Sequence, residues 1–173
     1  EVQAAKSSIL RQFLSPRCNR RDDAYGGSLA NRVRLLIEVV SAVRAAIGSD
    51  RALGVRLGLD GPADPASAWD VAGLADAEVG DLAELVAVGR LLRDGGLVDY
   101  LSTTIGVSPA TQWLITPPMG VPAGYALPVA RALRGEVTPL PVIGVGRFTE
   151  PAQVAKALDS GDCDLVGVAR GQI

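Results

Sequence analysis

The chain has 173 residues, 48% of them hydrophobic, which suits one globular domain with a sizeable core. Its 17 basic and 19 acidic residues are scattered and leave a net charge of −2, which argues against nucleic acid or an anionic membrane as partner. It has no histidine, and Cys18 and Cys163 lie far apart without CxxC spacing; no metal site is expected, and both read as structural thiols.

The chain opens at Glu1 on what reads as the tail of a strand, so a piece of a longer protein is expected. From Leu29 to Ile47 the apolar residues Leu29, Val33, Leu36, Ile37, Val40, Val43 and Ile47 recur at three- and four-residue steps, with Gly48 as a stop. This spacing predicts a helix. Ala52 to Gly58 reads as a buried strand with one charge, Arg56, and a loop with Gly61, Pro62 and Pro65 follows. A helix over Asp81 to Arg93, closed by Gly95 and Gly96, leads to a strand over Val98 to Thr103. After a long loop from Thr104 to Gly124 come a helix near Tyr125 to Arg134 and a strand over Pro141 to Val145. Thr149 is the expected N-cap of a helix over Glu150 to Leu158, and a last strand runs from Asp164 to Val168.

Four strands alternating with four helices predict an α/β fold with a parallel sheet, and apolar strands predict cover on both faces. Periodicity does not separate a doubly wound sheet from half of a closed barrel. The motifs bear on that choice. GVGRFT, Gly144 to Thr149, departs from the dinucleotide fingerprint GxGxxG, because Thr149 replaces its third glycine and Asp164 begins a strand where a ribose-binding carboxylate should end one. A glycine before a helix start with Arg147 beside it still suits an anion. The last strand also ends in arginine, at Arg170 of GVARG, and two consecutive strand ends of this kind match the phosphate site of (β/α)₈ barrels. The bland alternative is two surface arginines at loop starts. Arg56 sits inside GVRLG, where an unpaired charge is costly, so either an internal ion pair or an electron-rich ring should face it.

The stretches FLSPRCNRRDDAYGGSLANRVRLLIEVVSAVRAAIG, GVRLG, PVIGVGRFTEP and DLVGVARG together resemble the old yellow enzyme superfamily of flavin oxidoreductases. Within it the chain is most similar to the branch of 2,4-dienoyl-CoA reductase and trimethylamine dehydrogenase, through TTIG (Thr103 to Gly106) and the proline-rich loop after it. The resemblance implies a partial FMN-binding (β/α)₈ TIM barrel over residues 1–173, truncated at both ends: the C-terminal half, with the end of strand four and units five to eight. It places Arg56 near the flavin pyrimidine, and Gly146, Arg147, Ala169 and Arg170 around the FMN phosphate. YGGS, Tyr25 to Ser28, also matches and reads as structural, its glycines turning the chain into the long helix.

Members of the superfamily carry a histidine pair, or histidine and asparagine, after the fourth strand, with a tyrosine beyond. Here those positions are Gln3, Lys6 and Ser8, and the reductases' histidine after TGIG is Ser108. Lys6 and Ser8 are therefore the candidate catalytic residues, and Gln3, Arg17 and Ser108 the substrate-side ones. Lys6 binds a carbonyl or carboxylate, or is a solvated surface residue; Arg17 faces substrate or solvent.

The resulting expectation is an FMN-dependent enzyme that passes hydride from NADH or NADPH to an organic acceptor such as an enone or dienoyl thioester. Two rivals remain: a non-catalytic barrel remnant, and a phosphate-binding barrel of the lyase or isomerase type. Expected partners are a small molecule, the missing N-terminal half of the barrel and a possible oligomer. An iron–sulfur cluster has a place only downstream of Ile173. With no apolar run of about 18 residues and no signal-peptide pattern, a cytoplasmic setting is expected.

Overall fold

The computed structural model describes residues 1–60, 79–107, 111–169 and 171. Five strands, β1 (Val2–Ala4), β2 (Gly54–Leu59), β3 (Tyr100–Ile105), β4 (Val142–Val145) and β5 (Leu165–Gly167), form one sheet. All neighbours are parallel and the spatial order is the chain order, β1-β2-β3-β4-β5. A doubly wound sheet reverses its strand order at a switch point, whereas sequential right-handed crossovers wind one way, as in a barrel wall. The sheet is singly wound.

The helices among the described residues are α1 (Ile9–Leu14), α2 (Leu29–Ile47), α3 (Val79–Asp94), α4 (Gln112–Ile115), α5 (Leu127–Val137) and α6 (Pro151–Asp159). The α2 span is the one its apolar spacing predicts. Ser28 caps it by accepting the Asn31 N–H at 3.3 Å, and Gly48 ends it at φ 75°. YGGS acts structurally: a side chain at Gly26 would strike the Arg21 carbonyl, and the Tyr25 hydroxyl donates to Glu38 at 3.1 Å. No described helix is long and apolar enough to cross a membrane.

Alternation along the strands divides the sheet into two unlike faces. Val55, Leu57, Leu101 and Val142 join Leu36 and Val40 of α2, Leu85, Val88 and Leu92 of α3, and Val129, Leu133 and Val137 of α5 in one apolar core. The pairing register puts Gln3, Arg56, Ser102, Ile143 and Leu165 in one row on the other face. The expectation of cover on both faces is corrected in part: on the Arg56 side of the sheet Ser102 is 0% and Thr104 5% exposed, whereas Gln3 is exposed and Leu165 is 53% exposed.

Two further points differ from the sequence reading. The loop after β3 contains α4, and the Tyr125 hydroxyl donates to its Leu114 carbonyl at 2.6 Å. Glu150, rather than Thr149, is the α6 N-cap, because Pro151 opens that helix; the Thr149 N–H instead donates to Gln153 Oε1 at 3.0 Å. Burial raises the Cys163 thiol pKa, and its sulfur fills the space that a side chain at Gly144 would need. Cys18 is exposed and accepts from the Arg11 guanidinium at 3.1 Å.

Candidate functional site

A cavity of about 600 Å³ opens at the carboxyl ends of the strands. Lys6 reaches it from the turn after β1, Arg56 from β2, Thr104 from β3, Gly146 and Arg147 from the end of β4, and Ala169 from the end of β5. Ligands of singly wound parallel barrels bind at this end, since each strand delivers its next loop there. The loop from Pro117 to Met119 and the buried Tyr125 add an apolar wall.

The end of β4 is built by a close backbone approach. The Gly124 N–H donates to the Gly146 carbonyl at 2.6 Å, and a Cβ at Gly146 would stand 2.8 Å from Gly124 Cα. Only glycine leaves that approach open. Arg147 then takes a left-handed φ of 54°, and its Nε donates to the Val121 carbonyl at 2.6 Å. One side of its guanidinium is thus spent on holding the Pro117–Gly124 loop. Lys6 is the other described non-glycine residue in this conformation, at φ 58°. Such a backbone costs about 1 kcal/mol per residue and persists only where surrounding structure fixes it.

Arg56 lies in the middle of β2. Its Nε is 3.1 Å from Glu1 Oε1 and donates to Ser102 Oγ at 3.0 Å, and the Ser102 hydroxyl donates to Glu1 Oε2 at 2.6 Å. The ion pair, one of the two alternatives weighed for this arginine, is present, with the carboxylate of Glu1 just before β1. Arg56 nonetheless lines the cavity, so the pair anchors a guanidinium that still faces open space.

The other candidates are dispersed. Ser8 is the N-cap of α1, its Oγ accepting the Arg11 N–H at 3.2 Å, and it does not line the cavity. Gln3 stands beside Arg56 in the sheet register, exposed on the open face. Arg17 is exposed in the turn beyond α1, away from the cavity. Ser108 and Arg170 lie outside the described residues. Burial, and next the charge of Arg56, lower the Lys6 pKa from its usual value.

Sequence reasoning missed the Val121 carbonyl and the Pro117–Met119 wall. A proline-rich loop signals a turn, and nothing in its composition says which strand end it will fold onto.

The family model described as "NADH:flavin oxidoreductase / NADH oxidase family" matches residues 1–173. The chain belongs to this family. It is 33% identical over 172 residues to a multifunctional alkene reductase/demethylase of Caballeronia cordobensis, covering 98% of this chain and 23% of that protein. To an NADH-dependent flavin oxidoreductase of Talaromyces variabilis it is 30% identical, covering 98% of this chain and 39% of the relative. Among solved structures, a 6-hydroxypseudooxynicotine amine oxidase of Pseudomonas geniculata superimposes with TM-score 0.76 at 30% identity, over 98% of this chain and 23% of that one. Morphinone reductase in complex with tetrahydroNAD gives 0.66 at 25% identity, over 98% and 38%. The chain therefore spans well under half the length of these relatives.

Proposed function

We propose that this chain forms the C-terminal half of an FMN-binding (β/α)₈ barrel, within an oxidoreductase of the old yellow enzyme type. The observation that carries the reading is the convergence of Arg56, Gly146, Arg147 and Ala169 on one cavity at the carboxyl end of a singly wound sheet. The exposed Leu165 and the edge positions of β1 and β5 among the described residues fit a wall that further strands complete.

The residues present fit a flavin phosphate. Arg147, already oriented by the Val121 carbonyl, offers a cation at the end of β4, in a turn fixed by the close approach of Gly146 to Gly124. Arg170 follows Ala169 as the second phosphate-side arginine in this reading. Arg56, held by Glu1 and Ser102, offers fixed positive charge for the pyrimidine ring. Bound there, FMN would supply two-electron chemistry, taking hydride from NADH or NADPH and delivering it to an enone or dienoyl thioester. Ile115, Pro117 and Met119 line the apolar side of the cavity.

The test is flavin content. The full-length protein should purify with bound FMN, read from its visible spectrum after release, and Arg147→Ala and Arg170→Ala should each weaken retention at least tenfold. A protein that never holds flavin, or in which both substitutions leave retention unchanged, overturns this function.

A further inference from the structure

We propose that Lys6 is the substrate-side cation of the cavity and that it holds the carboxylate of an organic anion. This rests on assigning Arg56 and Arg147 to the flavin, which leaves Lys6 as the described cation free for a second ligand.

Charge sets the class of ligand. The described lining carries three cations, Lys6, Arg56 and Arg147, and no carboxylate. Such a lining attracts anions and repels an ammonium group. Arg56 Nε is engaged by Glu1 and Ser102, and Arg147 Nε by Val121. The Lys6 ammonium has no hydrogen bond or ion pair among the described residues, although its residue is partly buried. Burial and the neighbouring Arg56 both work against its charge, and a bound carboxylate would relieve both costs.

Position sets the rest. The left-handed backbone at Lys6 brings it to the cavity directly behind β1, two residues beyond Ala4. Ile115, Pro117, Met119 and Tyr125 supply apolar surface in the same cavity, and Met119 is 89% exposed. One cation set against an apolar wall matches a carboxylate carried on a hydrophobic body. It does not match the protonated amine of an amine substrate.

Titration calorimetry on the full-length protein with benzoate, benzamide and benzylammonium separates the outcomes, because the three share a body and differ in charge. Benzoate should bind about tenfold more tightly than benzamide, the size of one charge-assisted hydrogen bond, and benzylammonium more weakly than either. Lys6→Gln should abolish the benzoate preference and Lys6→Arg should keep it, with far-UV circular dichroism confirming that each variant folds. A preference that survives in Lys6→Gln, or tighter binding of benzylammonium, overturns the proposal. Heat of binding needs no flavin, so a flavin-free protein would sink the proposed function while Lys6→Gln still decides the fate of Lys6.

Discussion

Asp99 and Asp164 make the same set of contacts at the amino ends of β3 and β5. Asp99 Oδ2 accepts the Leu53 N–H at 2.6 Å and an Arg44 guanidinium N–H at 2.5 Å, while its own N–H donates to the Leu53 carbonyl at 2.7 Å. Asp164 accepts the Val142 N–H at 2.9 Å and the Arg134 Nε–H at 2.8 Å, and its own N–H donates to the Val142 carbonyl at 2.9 Å. Each clamp ties together the C-terminal part of one helix, the strand after it and the next strand along. Both lie at the end of the sheet opposite the cavity, where barrels keep stability apart from function.

Asp99→Asn and Asp164→Asn should each destabilise the fold by about 1 kcal/mol, since each weakens two charge-assisted hydrogen bonds at a partly exposed site. Urea unfolding of the single and double variants checks this. The clamps share no partner, so their effects should add.

Acid should weaken the same clamps. The Leu53 N–H, and next Arg44, hold the Asp99 carboxyl below the usual range. Burial opposes ionisation of Asp164, but Arg134 and the Val142 N–H prevail and lower it as well. A carboxyl whose pKa falls on folding stabilises fully above about pH 4, and that contribution disappears as pH falls through the folded value. Urea midpoints measured from neutral pH downward should therefore drop more steeply below pH 4 in the native chain than in the double variant.

Gly146→Ala should keep the secondary structure but displace the Gly124 turn beside Arg147, and so weaken the FMN binding proposed for the cavity. The new methyl would meet Gly124 backbone atoms at 2.8 to 3.1 Å, and backbone cannot step aside as a flexible side chain does. FMN retention should fall at least tenfold with an unaltered far-UV spectrum. Retention equal to the native protein would contradict the role given to this turn.

Arg56→Gln should lower the midpoint potential of the bound flavin by on the order of 30 mV, equivalent to ~1.4 kcal/mol for two electrons, because positive charge near the pyrimidine favours the anionic reduced ring. Glu1→Gln should move the potential the other way, since it removes a negative charge beside Arg56. Dye-equilibrated spectral titration reads both shifts, and equal potentials in all three proteins would refute the assignment.

Helix and strand order was legible because each element carries its own local signal. The apolar spacing in α2 gave its exact span, and the short β-rich runs located β2 to β5 to within two residues at each end. Winding was not legible in periodicity, because strand order depends on which faces meet across the fold, and only the motifs' resemblance to a barrel family pointed to it. Arg56 was identifiable as a charge that needed a partner, and Arg147 as a cation placed for an anion. Their partners were not: Val121 offers a backbone carbonyl, and Glu1 becomes a neighbour of Arg56 only through sheet register. The left-handed backbone at Lys6 left no trace in residue type, since lysine is not a residue that favours it.

The row that runs Gln3, Arg56, Ser102, Ile143, Leu165 has a consequence for how this chain tolerates change. Sidedness in a strand has a period of two, so sliding β2 by a single residue would swing Arg56 into the apolar layer and aim Val55 or Leu57 at the cavity. Chemistry on one face is thus kept in register by oily packing on the other. Variation that loosens the fit of Val55 or Leu57 against α2 and α3 should surface first as a misaimed guanidinium, before any loss of folded protein.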